Sequence, residues 1–97
     1  MIGKERAYLR KMAHDLDPIF QIGKGGVTPE LTKSVSEALE KRELIKLTIL
    51  KNCMEDVKEV ATTISERTQS DVIQVIGRRF VLYRESKDNK EIVLPKF

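Results

Sequence analysis

The chain predicts an α/β fold: a four-stranded mixed sheet packed with three helices, in the order α-β-α-β-α-β-β. Three observations carry that expectation. Apolar residues recur at helical spacing in three separate segments, they alternate with polar residues from Leu44 to Leu50, and Gly77-Arg78-Arg79 divides two short apolar runs near the C-terminal end. The 97 residues, 40% hydrophobic and 34% charged, support one modest core, so the reading is a single domain over 1–97.

From Lys4 to His14, Tyr8, Leu9, Met12 and Ala13 share one helical face, while Lys4, Arg6, Arg10 and Lys11 lie on the other. Pro18 then disfavours helix for Asp17 and removes a backbone donor, leaving Ile19 to Ile22 as a short strand. A second helix is predicted from Thr28 to about Arg42. Thr28 can cap it, Pro29 suits its first position, Glu30 complements its positive end, and Leu31, Val35, Ala38 and Leu39 form its apolar stripe.

Leu44 to Leu50 reads as a strand because Ile45, Leu47 and Ile49 alternate with Lys46 and Thr48. Asn52 and Glu55 have the spacing of a capping box variant before a third helix, whose face is Val57, Val60, Ala61 and Ile64 and which reaches about Thr68. Strands at Val72 to Ile76 and Phe80 to Arg84 make a hairpin, since glycine supplies the positive φ of a tight turn. Val72, Gln74 and Ile76 fall on one face and Ile73 and Val75 on the other, which predicts cover on both sides, with the first helix over the second face. After the polar stretch Glu85 to Lys90, Ile92-Val93-Leu94 is expected to add an edge contact before Pro95.

Charge and composition exclude several classes of function. Up to Lys51 there are ten Lys and Arg against seven acids, and beyond it eight against eight, so the net charge of +3 lies in the first half. A basic half suits an anionic partner. One cysteine, Cys53, precludes an intramolecular disulfide or a multi-cysteine zinc site and fits a reducing cytosol. No apolar run reaches membrane-spanning length, and the N-terminal stretch lacks a signal peptide pattern, so a cytoplasmic protein is expected. His14, the one histidine, has no partner in sequence for metal or acid-base chemistry and is expected to serve structurally at a helix end. The expectation is a non-enzymatic monomer with no metal, cofactor or small-molecule substrate.

Ile22 to Glu30 is the stretch with chemical character. Gly23-Lys24-Gly25-Gly26 precedes the helix start, where free amides and partial positive charge favour an anion and glycines permit close approach. The same glycines also suit a plain strand-to-helix turn. Neither G-x-x-x-x-G-K-[ST] nor G-x-G-x-x-G is present; what is present is G-x-x-G, a pattern that clamps nucleic-acid backbones in other folds.

The runs Met12 to Leu16, Ile22 to Thr28, Ala38 to Glu40, Glu43 to Leu47, Gln74 to Gly77 and Val81 to Arg84 together resemble the YhbY family, the bacterial stand-alone form of the CRM RNA-binding domain. Gln69-Ser70 departs from the glycine common in that family after the third helix, which leaves the local cap open. The resemblance implies a fold similar to the C-terminal domain of translation initiation factor three. It also implies a protein that binds RNA in precursors of the large ribosomal subunit, with Gly23, Lys24, Gly25 and Gly26 against the RNA backbone.

Thr28, Arg10, Lys11 and Lys33 are the candidate extensions of that surface. Arg78, Arg79 and Arg84 form a second cluster whose place depends on strand order. Tyr8, Phe20, Phe80 and Tyr83 are assigned to core packing rather than to base stacking. The alternative reading is a protein-interaction module that docks a ribosomal protein or assembly factor.

Overall fold

The sheet of this protein is governed by one strand that is apolar on both faces. A computed structural model describes residues 1–96. It contains α1 (Gly3–Ala13), β1 (Phe20–Ile22), α2 (Pro29–Arg42), β2 (Leu44–Ile49), α3 (Val57–Thr68), β3 (Asp71–Ile76) and β4 (Arg79–Tyr83). The strand order is β1-β2-β4-β3, with β1 parallel to β2 and the other two pairings antiparallel. In β4, Phe80, Val81, Leu82 and Tyr83 are all buried, so this strand takes an interior place. In β3, Asp71 and Ile76 are exposed, and that strand forms an edge.

On the first face Ile45, Leu47, Ile49, Phe80 and Leu82 pack with Val35 and Leu39 of α2 and with Val60, Ala61 and Ile64 of α3. On the second, Leu44, Ile73, Val81 and Tyr83 pack with Leu9 and Ala13 of α1 and with Ile92. The first helix therefore covers the second face, as predicted, but the alternation expected in β3 fails: the register shift between Val72 and Gln74 puts Val72 and Val75 together against the first-face core, with Ile73 under α1. The seam of α1 is narrower than expected: Tyr8 and Met12 remain 36% and 41% exposed, because only Leu9 and Ala13 face the sheet. The Arg6 guanidinium donates to the Val72 carbonyl at the irregularity in pairing between Val72 and Gln74, tying α1 to the edge strand.

The capping expectations divide. Thr28 caps α2, its hydroxyl oxygen accepting from the Leu31 N–H at 3.1 Å. At α3 the cap is Asp56, which accepts from the Lys58 N–H at 3.2 Å, and the predicted Asn52/Glu55 box does not form. The reason lies just before it: the Cys53 N–H donates to the Leu50 carbonyl in a turn that buries Cys53, and the helix begins only after the chain has emerged from that turn. At the far end of α3 Gln69 adopts left-handed φ 55, ψ 45, the conformation for which glycine is favoured.

The C-terminal segment is held by carboxylates instead of by strand pairing, so the predicted edge contact at Ile92-Val93-Leu94 is replaced by another arrangement. Glu43, fully buried, accepts from the N–H groups of Ser86 at 2.8 Å and of Glu91 and Ile92 at 2.7 Å. Glu40 accepts from the Ser86 hydroxyl and the Lys87 and Asp88 amides. Ile92 is buried by this clamp while Val93 points outward. Burial alone would raise the Glu43 pKa, but the Ile92, Ser86 and Glu91 amides and nearby Lys90 bring it below the ordinary 4.5.

Two outcomes follow for stability. Gln69→Gly is expected to raise unfolding free energy by up to about 1 kcal/mol in chemical denaturation, because it relieves left-handed strain. The folded-state pKa of Glu43 is depressed, so its contribution is complete above about 4.5, its unfolded value, and is lost as pH falls through the lower folded value. Glu43→Gln should therefore lower stability by about 1–3 kcal/mol near neutral pH and flatten the acid limb of the stability profile.

Candidate nucleic-acid interface

The glycine loop leaves β1 at Ile22, whose carbonyl accepts from the Leu50 N–H at 2.8 Å. The Gly26 N–H then donates to the Gly23 carbonyl at 3.0 Å, closing a turn in which Gly26 has φ +63. The three glycines have different surroundings. A Cβ at Gly23 would lie 3.4 Å from the Asn52 side chain, one at Gly26 would lie 3.2 Å from the Glu55 carboxylate, and one at Gly25 would meet only Thr28 at 3.8 Å. An approaching anion is thus repelled on the Glu55 side and admitted on the side of Gly25 and exposed Lys24. Thr28 has its oxygen engaged at the helix cap, and its carbonyl accepts from the Thr32 hydroxyl at 2.9 Å. Its main part is to set the start of α2.

Strand pairing connects this loop to a second basic feature. Gln21 pairs with Thr48, Thr48 with Arg79 and Arg79 with Ile76, so one cross-strand row spans all four strands next to the loop. Two strand spacings, about 10 Å, separate the Gln21 and Arg79 backbones. The side chains of this row stand on the second face, beyond the end covered by α1. There a groove of about 760 Å³ opens between helix and sheet, with Arg10, Lys11 and His14 on the helix wall and Lys46, Gln74 and Arg79 on the sheet. Asp15 is its one acid. Among the described residues Arg10, Lys11, Lys46 and Arg79 form no ion pair.

The other arginines of the second cluster are occupied. Arg78 lies at the same sheet end, but its Nε donates to the Ile49 carbonyl at 2.9 Å and its Nη2 to the Leu50 carbonyl, which satisfies the end of β2. Arg84 is at the opposite end of β4, donating to the Ser36 hydroxyl and the Thr68 carbonyl, both at 2.9 Å, and to the Ser36 carbonyl at 2.7 Å. It bridges α2 and α3. Only Arg79 of the three faces the groove.

The predicted site residues therefore fall into three places. Gly23, Lys24, Gly25, Gly26 and Thr28 sit together at the end of the sheet, and Arg10 and Lys11 line the groove on the second face. Lys33 stands with Pro29, Thr32, Ser36 and Arg67 on the helical layer of the first face. His14 stands at the helix end, where it was expected, as the C-cap of α1, and its exposed side chain lines the groove. Phe80 and Tyr83 are buried and Phe20 packs against the core, as assigned, whereas Tyr8 is exposed on α1. Lys46 and Gln74 escaped notice as site residues. Their signal was polarity inside strands, on a face that only the strand order shows to be half open.

Among the described residues no group of His, Cys, Asp and Glu is placed to hold a metal ion, and no helix is long and apolar enough to cross a membrane.

The model of the CRS1/YhbY (CRM) domain matches residues 1–84. The chain belongs to this family. Over 95 residues it is 50% identical to the probable RNA-binding protein YqeI of Bacillus subtilis, covering 98% of this chain and 99% of that one. It is 32% identical over 93 residues to an RNA-binding protein of Haemophilus influenzae, covering 96% and 93%. The solution structure of the hypothetical protein SAV1595 from Staphylococcus aureus superposes with a TM-score of 0.81 at 55% identity, covering 98% of this chain and 99% of that one. The loop, the row from Gln21 to Ile76 and the groove thus lie within the CRM match, while the segment clamped by Glu40 and Glu43 begins just after it.

The loop geometry separates neighbouring glycines in an experiment. Gly26→Ala should lower unfolding free energy by roughly 1–2 kcal/mol, since alanine is strained at positive φ and its Cβ meets Glu55, whereas Gly25→Ala should be near neutral. Urea denaturation of the two variants checks the difference.

Proposed function

We propose that the protein binds RNA without catalysis, holding the sugar-phosphate backbone with the Gly23–Gly26 loop and Lys24, just before the start of α2. Arg10, Lys11 and the sheet cations of the groove extend that surface, and Lys33 adds at most a peripheral contact. The observation that carries this reading is the alignment of loop and groove along one cross-strand row at one end of the sheet. Close-approach glycines and unpaired cations are groups that suit phosphates.

Two further supports name the partner. Relatives from Bacillus subtilis and Haemophilus influenzae bear the name of RNA-binding proteins. The resemblance to YhbY proteins points to ribosomal RNA in a precursor of the large subunit, where a monomer would assist assembly in the cytoplasm.

Salt titration of RNA binding tests the loop. Lys24→Ala should weaken binding and lower the slope of log affinity against log salt by about 0.7–0.9, the effect of one lost phosphate contact. Replacing Gly25 by a bulky residue should weaken binding without unfolding the protein, because that position is open to solvent. Unchanged affinity and slope in both variants would remove the loop from the interface.

A further inference from the structure

The groove differs from the loop in having a floor. Between its cationic walls lie Val81, half-buried Gln74 and Ile76, the last 59% exposed although it is a large apolar side chain at a strand end. The Gln74 amide makes no hydrogen bond to another described residue, in contrast to Arg6 and Arg84, whose guanidinium groups are engaged with carbonyls. A neutral amide with free donor and acceptor, set beside apolar surface and ringed by cations, has the chemistry of a base-edge reader flanked by phosphate contacts. A surface that met only phosphates could use the amide N–H groups but would gain nothing from the amide oxygen or from Ile76.

The volume, about 760 Å³, lies within the usual range of small-ligand clefts, about 300–1,000 Å³. In A-form duplex RNA the major-groove base edges are out of reach of side chains, whereas single strands splay their bases outward.

We propose that this groove takes an unpaired nucleotide of the bound RNA, its base lying on Ile76 with its edge against the Gln74 amide, and its phosphates on Arg10 and Arg79. Adenine is the favoured base, because a glutamine amide can both donate to and accept from its adjacent N7 and N6 positions. The inference rests on the RNA reading above and adds to it a preference for single strands and for base identity, which backbone contacts do not confer.

The test is fluorescence anisotropy of the intact protein with short homopolymeric RNAs of A, C, G and U and with an RNA hairpin stem. The wild type should prefer the A strand by about fivefold or more and bind the stem more weakly. Gln74→Leu should abolish that ranking while leaving the salt slope unchanged. Arg79→Ala, at an exposed position whose side chain makes no hydrogen bond or ion pair among the described residues, should weaken all strands alike and reduce the slope.

An unaltered base ranking in Gln74→Leu, or a stem bound as tightly as the strands, would overturn the assignment. If Lys24→Ala loses affinity while neither groove variant changes anything, the groove proposal fails and the backbone reading stands. If the wild type binds none of these RNAs, both fall.

Discussion

A four-stranded sheet with two apolar faces has to be covered twice, and this chain has three helices and a short tail with which to do it. Two helices close the first face over a core that runs from Ile22 to Leu82. On the second face α1 and Ile92 reach Leu44, Ile73, Val81 and Tyr83 and no further. The strand row beyond them carries Gln21, Thr48 and Arg79, which can remain hydrated, and leaves Ile76 as its one exposed apolar side chain. The groove is the boundary between the covered and the hydrated halves, and its position follows from the length of α1.

The same arrangement separates cations that stabilise the fold from cations left for a partner. Arg6, Arg78 and Arg84 spend their guanidinium groups on backbone carbonyls at a sheet irregularity, at the end of β2 and between two helices. Acids behave in parallel fashion, since Glu40 and Glu43 gather the tail amides that would otherwise lack partners. What remains unengaged around the sheet end is predominantly positive, with Asp15 and Glu55 marking its borders. This distribution gives direction to a mild overall charge of +3.

Much of this was legible in the residues because local chemistry determines it. Thr28-Pro29-Glu30 announced the start of α2, and the alternation around Leu47 and the glycine at 77 announced strand and hairpin. The order of strands was not legible. That β4 lies beside β2 depends on the burial of both its faces, which involves four other elements, and the fate of Arg78, Arg79 and Arg84 depended on that order. Asn52 and Glu55 looked like a helix cap because sequence spacing does not register the turn that buries Cys53. Gln69, by contrast, signalled correctly as a departure: it occupies a left-handed position where glycine is common in the family resembled.

The central claim is that a partner RNA lies along one end of the sheet, across the glycine loop and the groove. Backbone amide chemical shifts of the protein with and without a single-stranded RNA test it most directly. The account predicts changes concentrated at residues 23–28, at the C-terminal turn of α1 and at Lys46, Gln74 and Arg79, with the tail bound by Glu40 and Glu43 and the outer surface around Arg67 unaffected. Changes centred on the α2 and α3 surface, with the loop and groove silent, would contradict it.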